Sequence, residues 1–347
     1  MNAGMSVHLL FGNPSAQSGE AGRAILRAEQ LLLARGIQAQ IVHTQPEGKT
    51  PKLVQAAIDV HRPEAVLALG GDGTFNEVAR GILASGFDIP LGVLPMGTAN
   101  DQGKSFGIPT GPSAVEAQVD IIAKRHARKI DVGNVRAMKS GAEQARATFF
   151  DSLSFGLAPD ILAVRNRDRE DVKRVPLLQA IYRDQAVYVG AALNRFFHSF
   201  VEPTTFDAVI ETDSFDETRR GITDLVIKAT PIFAGEWVLE RRAEIDDGRF
   251  ELVVVGSRRE WIERVVGDLS LNPFRPAALG LPTPAHLAAS QFNLHFYRGG
   301  PEHGEELSQI ASQVDGEEWV RGDHFEVDVD RKRLQVIVPE GFVPPWR

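Results

Sequence analysis

Three glycines around one aspartate, Gly70-Gly71-Asp72-Gly73, run straight into Thr74, Asn76 and Glu77. Glycines let a backbone approach a ligand closely, and a helix start offers amide donors and positive dipole to an anion. One glycine would serve a tight turn; three around a carboxylate point to phosphate binding. Asp72 would repel bare phosphate but suits a metal-bound nucleotide. A second block, Leu94-Pro95-Met96-Gly97-Thr98-Ala99-Asn100-Asp101, offers a flexible turn at Gly97 and short polar groups at Thr98 and Asn100. These residue types cap helices, and beside the first turn they also suit a ligand. Three acidic positions follow. Asp131 stands alone in Lys129-Ile130-Asp131-Val132-Gly133, Asp246-Asp247-Gly248 reads as a turn able to hold a hard cation, and Asp315-Gly316-Glu317 reads as a hairpin turn. By spacing alone, Glu317 is ordinary solvated surface.

The elements that must position these residues alternate in the first third. Strands are predicted at Val7–Phe11, Ile37–Val42, Ala65–Leu69 and Leu91–Leu94, with helices at Ala21–Arg35, Lys52–His61 and from Thr74 onward. Thr74 and Glu77 have the spacing of a reciprocal helix cap. Such alternation predicts a doubly wound parallel sheet, with ligands beyond the carboxyl ends of its strands. Gly12-Asn13-Pro14-Ser15, Thr44 and the triple-glycine turn all fall at such ends. After about Val132 the apolar period becomes two, as in Phe250, Leu252, Val254 and Phe325, Val327, Val329, which predicts an antiparallel sandwich or barrel. Helices are expected at Pro176–Phe197 and Arg258–Leu269, an irregular excursion at Asn272–Ala289, and an extended, poorly fixed tail from Gly341 to Arg347. The run Arg165–Arg174 mixes both signs and reads as solvated surface.

The 347 residues suffice for two domains, and 43% apolar with 24% charged residues is an ordinary globular composition. A net charge of −8 argues against a nucleic-acid binder. With no cysteine, disulfides, thiolate metal sites and cysteine nucleophiles are excluded. No apolar run is long enough for a transmembrane segment, and Met1–His8 lacks the features of a secretory signal. Cytoplasmic residence is expected, with peripheral contact at the inner membrane face compatible with a local basic patch. HExxH spacing is absent.

Gly70-Gly71-Asp72-Gly73-Thr74-x-Asn76-Glu77, Pro95-x-Gly97-Thr98-x-Asn100-Asp101, Asp131-x-Gly133, Asp246-Asp247-Gly248 and Asp315-Gly316-Glu317 occur in that order. In this the chain resembles the diacylglycerol kinase catalytic family, in its soluble bacterial lipid kinase form. The triple-glycine motif is shared with NAD kinases and phosphofructokinases; the combination is more specific. The resemblance implies an α/β Rossmann-like nucleotide domain at residues 1–133 plus 334–347 and an all-β sandwich lipid-substrate domain at 134–333. It implies ATP as cosubstrate, held by Asn13, Thr44, Gly70, Gly71, Asp72, Gly73, Thr74, Gly97, Thr98 and Asn100. Catalytic parts fall to Asp72 and Asp131, which organise nucleotide and Mg2+, and to Glu317 as general base. A structural Mg2+ would be held by the Asp247 side chain and the carbonyls of Glu244 and Arg249.

The implied activity is ATP- and Mg-dependent phosphorylation of a lipid hydroxyl, most simply diacylglycerol to phosphatidic acid, at a membrane surface and in a possible homodimer. Two other readings stand beside it: a kinase of a soluble substrate in the manner of NAD kinases, and a nucleotide-binding sensor without catalysis. Asp-Gly-Glu speaks against the first, and the presence of Asp72, Asp131 and Glu317 against the second. Two departures concern the lipid: Pro231 stands where relatives usually place an asparagine, and the 272–289 excursion is long.

Overall fold

The computed structural model describes residues 7–14, 20–46, 48–159, 205–235, 237–257, 260, 285–297 and 310–346. The expectations for Ser15, for Arg165–Arg174, for the Pro176 helix, for the Arg258 helix apart from Glu260, and for residues 272–284 lie outside them. The chain divides into two compact units. One comprises Met1–Val132, Thr230–Gly248 and Asp330–Arg347, the other Gly133–Ala229 and Arg249–Val329.

The first unit alternates as expected: β1 (Val7–Gly12), α1 (Glu20–Ala34), β2 (Gln38–His43), α2 (Thr50–His61), β3 (Val66–Gly70), α3 (Asp72–Ser85), β4 (Leu91–Pro95), α4 (Asp101–Ser105) and α5 (Val115–Lys124). The strands are parallel in the order β2-β1-β3-β4. Leu10, Leu67, Leu69 and Leu94 fill the sheet and meet Ala28 and Leu32 of α1 and Val119 and Ile122 of α5. On α3, a Cβ at Gly81 would lie 2.5 Å from the Val54 Cβ of α2, so glycine permits this close helix contact. Proline opens α2 where its missing N–H costs nothing, and Gly36 (φ 74°) ends the turn after α1.

His8, buried in β1, has its titration pushed below the usual histidine range, first by burial and then by Arg125, with Glu64 opposing. The unfolded chain therefore binds the proton more tightly than the folded one. Stability should be complete above the unfolded value of 6.5 and fall as pH drops through the lower folded value. Thermal midpoints measured from about pH 7.5 to about pH 5 should decline, and His8→Leu should flatten that slope.

β5 (Ala127–Lys139) leaves the first unit and enters the second, followed by β6 (Ala142–Phe149), β7 (Ser152–Gly156), β8 (Phe206–Thr212), β9 (Asp216–Ile222) and β10 (Asp224–Lys228). The chain then returns to the first unit for the short hairpin β11 (Ile232–Phe233) and β12 (Trp237–Val238). The second unit resumes with β13 (Phe250–Val255), β14 (Ala288–Ala289), β15 (Gln291–Tyr297), β16 (Ser312–Val314) and β17 (Glu317–Glu318). The last strand, β18 (His324–Ile337), begins there and ends in the first unit, where Val336 pairs in parallel with Leu91.

In the second unit, β14-β13-β10-β7-β16-β17 form one sheet, and β18-β15-β8-β9 with β5 and β6 form the other. Their inner faces share one core, so the period-two pattern resolves as a sandwich. Phe155 sits at its centre, with ring centroids 4.7 Å from Phe325 and 5.0 Å from Phe296. Burial of each such ring stabilises by roughly 1.5–3 kcal/mol.

Two expectations are corrected. Helix α3 begins at Asp72 with Gly71 as its N-cap, so Thr74 lies within the first turn and does not cap. Its side chain leans back over Gly70, where a Cβ would lie 2.2 Å from the Thr74 Oγ1. The described part of the tail, through Trp346, is also anchored. Trp346 is 2% exposed and packs with Ile232, Val238 and Phe342, and Phe342 covers Gly107. Aromatic burial overrides two prolines and a glycine that spoke for a loose end.

Candidate functional site

Four strand ends of the first unit lie side by side at the carboxyl edge of its sheet. In sheet order they carry Thr44 after β2, Asn13 after β1, the Gly71 turn after β3 and the Gly97 turn after β4. The ends are tied together: the Thr44 amide donates to Gly12 O at 3.1 Å and the Met96 amide to Gly70 O at 2.7 Å. Asn13, Gly73 and Thr98 are exposed, and Thr44, Gly70, Gly71, Asp72, Thr74 and Gly97 are half-buried.

The two glycine turns pack backbone against backbone. A Cβ at Gly97 would lie 2.5 Å from the Gly71 Cα, and a Cβ at Gly71 would lie 3.1 Å from the Gly97 Cα. Asn100 locks the second turn: its Oδ1 accepts from the Gly97 amide at 2.8 Å and its Nδ2 donates to Gly97 O at 2.7 Å. To do so it is buried and left-handed (φ 54°), a conformation that asparagine tolerates better than most residues. Its own amide donates to Asp72 Oδ2 at 2.8 Å, so one carboxylate oxygen of the first turn holds the second.

Helix α3 opens without a side-chain cap because its N-cap is glycine. Thr74 and Phe75 send their amides to Gly71 O, at 2.9 and 3.1 Å. The amides before them, at Asp72 and Gly73, precede any acceptor within the helix. A helix start with no side-chain cap, framed by two glycine turns, suits the oxygens of a phosphate.

Asp131 lies at a different place in this unit. It is 3% exposed; its Oδ2 accepts from the Gly248 amide at 2.5 Å and its Oδ1 from the Lys332 amide at 2.7 Å. Burial pushes its carboxyl above the usual range, opposed by those two amides and reinforced by Asp246. It therefore ties β5 to the Asp246-Asp247-Gly248 turn and to the bend at Lys332. Arginines brace the same turn. Arg128 pairs with Asp246 at 2.7 Å, and Arg331 lies over Gly248 and donates to Asp247 O at 3.2 Å. Asp247 is exposed and Glu244 half-buried. Glu244 also lines a cavity of about 290 Å³ with Ser105, His126, Arg128 and Trp346, which contains no residue of the glycine turns. Among the described residues no three acidic or histidine side chains cluster as a metal site. Arg249, an exposed residue, belongs to the second unit.

Glu317, also in the second unit, follows a two-residue hairpin loop in which Asp315 (φ 49°) and Gly316 (φ 80°) are both left-handed. That is the backbone Asp-Gly favours. Glu317 is exposed. Asp315 has a use that spacing did not reveal: its carboxylate accepts the backbone amides of Phe150, Asp151 and Ser152 at 2.8–3.1 Å. Sequence reasoning also missed the ion pair between Lys228 and Asp151, and the grip of α4 on the 230–235 segment. In that grip the Gly235 amide donates to Asp101 Oδ1 at 2.5 Å and Lys104 donates to Gly235 O. The signal for the ion pair was a charge closing the otherwise apolar run Leu225-Val226-Ile227.

Comparison with known proteins bears on this arrangement. The diacylglycerol kinase catalytic domain matches residues 8–135, which span both glycine turns and Asp131. Over 193 residues it is 28% identical to a diacylglycerol kinase of Staphylococcus saprophyticus, covering 55% of this chain and 54% of the relative. Over 221 residues it is 27% identical to one of Staphylococcus haemolyticus, covering 63% and 58%. The chain thus spans about half the length of these curated relatives. A diacylglycerol kinase from Bacillus anthracis shares the fold, with TM-score 0.66, 17% identity and 98% of both chains covered. Yeast NADH kinase is more distant in fold, with TM-score 0.53 and 10% identity over 97% of this chain and 84% of its own. Among the described residues, no helix is long and apolar enough to cross a membrane.

Proposed function

We propose that the protein is an ATP- and Mg-dependent lipid kinase that transfers the γ-phosphate of ATP to the hydroxyl of diacylglycerol. The observation that carries the reading is the backbone contact between the Gly71 and Gly97 turns beside the uncapped start of α3, inside the matched catalytic domain. ATP is the donor that a kinase domain implies. Its phosphates would take the amides at Asp72 and Gly73, with Gly70, Gly71, Thr74 and Gly97 keeping side chains out of the way. Asn13, Thr44 and Thr98 would complete the nucleotide site along the strand ends, with Asn100 serving it by shaping the Gly97 turn. Magnesium on the phosphates supplies charge neutralisation. Asp72, already held by Asn100, would orient that ion. Asp131 would act by position, fixing the Asp247 turn. Glu317 would accept the proton of the lipid hydroxyl as that oxygen attacks the γ-phosphorus and the bond to the bridging oxygen of the departing ADP breaks. Positioning and fixed dipoles carry most of such an acceleration.

The donors at Asp247, Glu244 and Arg249, one carboxylate and two carbonyls, have the hard-oxygen chemistry that suits a structural magnesium. Magnesium without nucleotide should raise the thermal midpoint of the wild-type protein, and Asp247→Ala should abolish that rise. An equal rise in both proteins would remove these residues from the metal's coordination. Contact with a membrane surface, needed to reach a lipid, belongs to the same proposal.

The test of the function is direct. Purified protein, γ-labelled ATP and magnesium are incubated with a cellular lipid extract and, separately, with soluble acceptors including NAD. Label in phosphatidic acid is the expected result. Label only in a soluble product would reassign the protein to NAD kinase-like chemistry, and ATP binding without any labelled product would make it a sensor.

A further inference from the structure

Among the described residues, Lys228 and Asp151 form an ion pair of 2.7 Å with side chains 0% and 5% exposed. A buried pair of this kind is weak evidence for stability, because apolar residues of similar volume often stabilise as well or better. It must therefore be explained by what it holds in place. Lys228 closes β10 opposite Ser152 of β7, and its Nζ fixes Asp151 Oδ1. Ser152 Oγ donates to Asp151 Oδ2 at 2.9 Å, and the Ala229 amide donates to Asp151 O at 2.8 Å. Side chain and backbone of Asp151 are thus both fixed from the strand that bears Lys228.

The held segment 150–152 in turn presents the three consecutive amides that Asp315 accepts. The Asp315 amide returns a hydrogen bond to Ser152 O at 2.8 Å. The left-handed loop at Asp315 and Gly316 is clamped by its first residue, and Glu317 is the residue that leaves it. Each link in the series from Lys228 to Asp151, the 150–152 backbone, Asp315 and Glu317 is a short hydrogen bond or the chain itself.

Resting on the assignment of Glu317 as base, we propose that Lys228 and Asp151 are positioning residues that set the Glu317 carboxylate through the Asp315 clamp. They touch neither substrate. Their effect appears in turnover, because a displacement of about 1 Å in a reacting group lowers rates by about a hundredfold.

The test is a cycle of four proteins: wild type, Lys228→Met/Asp151→Asn, Glu317→Gln, and the three exchanges together. The paired exchange keeps neutrality and approximate volume. It should lower kcat about 10- to 100-fold with KM for ATP changed by less than about twofold, and should leave the residual rate of Glu317→Gln within about threefold. A loss of equal size in both backgrounds, or an unchanged kcat in the paired exchange, overturns the proposal while leaving Glu317 as base. Wild-type turnover in Glu317→Gln alone overturns the assignment of the base, and this inference with it. Should the paired exchange fail to fold, Asp315→Asn decides. A kcat loss seen only where Glu317 is present supports the relay, and an unchanged kcat overturns it.

Discussion

Glu317→Gln is expected to lower kcat for lipid phosphorylation by about two to four decades while KM for ATP stays within a factor of about two. The reason is chemical rather than structural. The residue is exposed at a hairpin whose conformation is set by Asp315 and Gly316, so an isosteric amide at 317 leaves the backbone bonds as they are. What it removes is the basic lone pair that takes the hydroxyl proton in the proposed mechanism. Steady-state rates with diacylglycerol in mixed micelles, together with the thermal midpoint, measure both halves of this statement. Unchanged kcat would remove Glu317 from the mechanism; a lowered midpoint would make the effect structural.

Gly97→Ala should cost nucleotide affinity about a hundredfold. A Cβ at this position lies 2.5 Å from the Gly71 Cα, and the obstacle is main chain, which has no rotamer with which to yield. The turns must separate, and with them the link from Asn100 to Asp72 that orders both. Overpacking of this kind also destabilises by about 1–3 kcal/mol. Gly71→Ala should be milder, since its added carbon meets the Gly97 Cα at 3.1 Å. Titration of ATP followed by calorimetry ranks the two, and equal affinity in Gly97→Ala would contradict the close packing of the turns.

Much of the fold was legible in the sequence because two periodicities are written plainly into it. Short apolar runs separated by amphipathic helices gave β1 to β4 and α1 to α3 within a residue or two, and alternation at Phe250, Leu252 and Phe325, Val327 gave strands of the sandwich. Thr74 misled because cap spacing is local information, whereas the helix starts after Gly71, which has no side chain with which to cap it. Trp346 misled because its partners Ile232 and Val238 lie more than a hundred residues away in sequence.

The candidate site was legible as residue types and less so as contacts. The triple-glycine turn and Gly97 could be placed at neighbouring strand ends, but their backbone packing could not. Neither could the tie from Asn100 to Asp72, the clamp from Asp315 to residues 150–152, or the buried pair at Lys228. The polar ties among these join residues 28 to 165 apart. Long-range polar contacts leave no periodic trace, so a lone charge in an apolar strand was the only sign of the last.

The most direct measurement is a crystal structure of the protein with a non-hydrolysable ATP analogue and magnesium. The phosphates should lie within hydrogen-bond distance of the Asp72 and Gly73 amides, against the Gly97 turn. An analogue bound in order elsewhere on the chain, with those amides on water, would contradict the proposed use of the glycine turns.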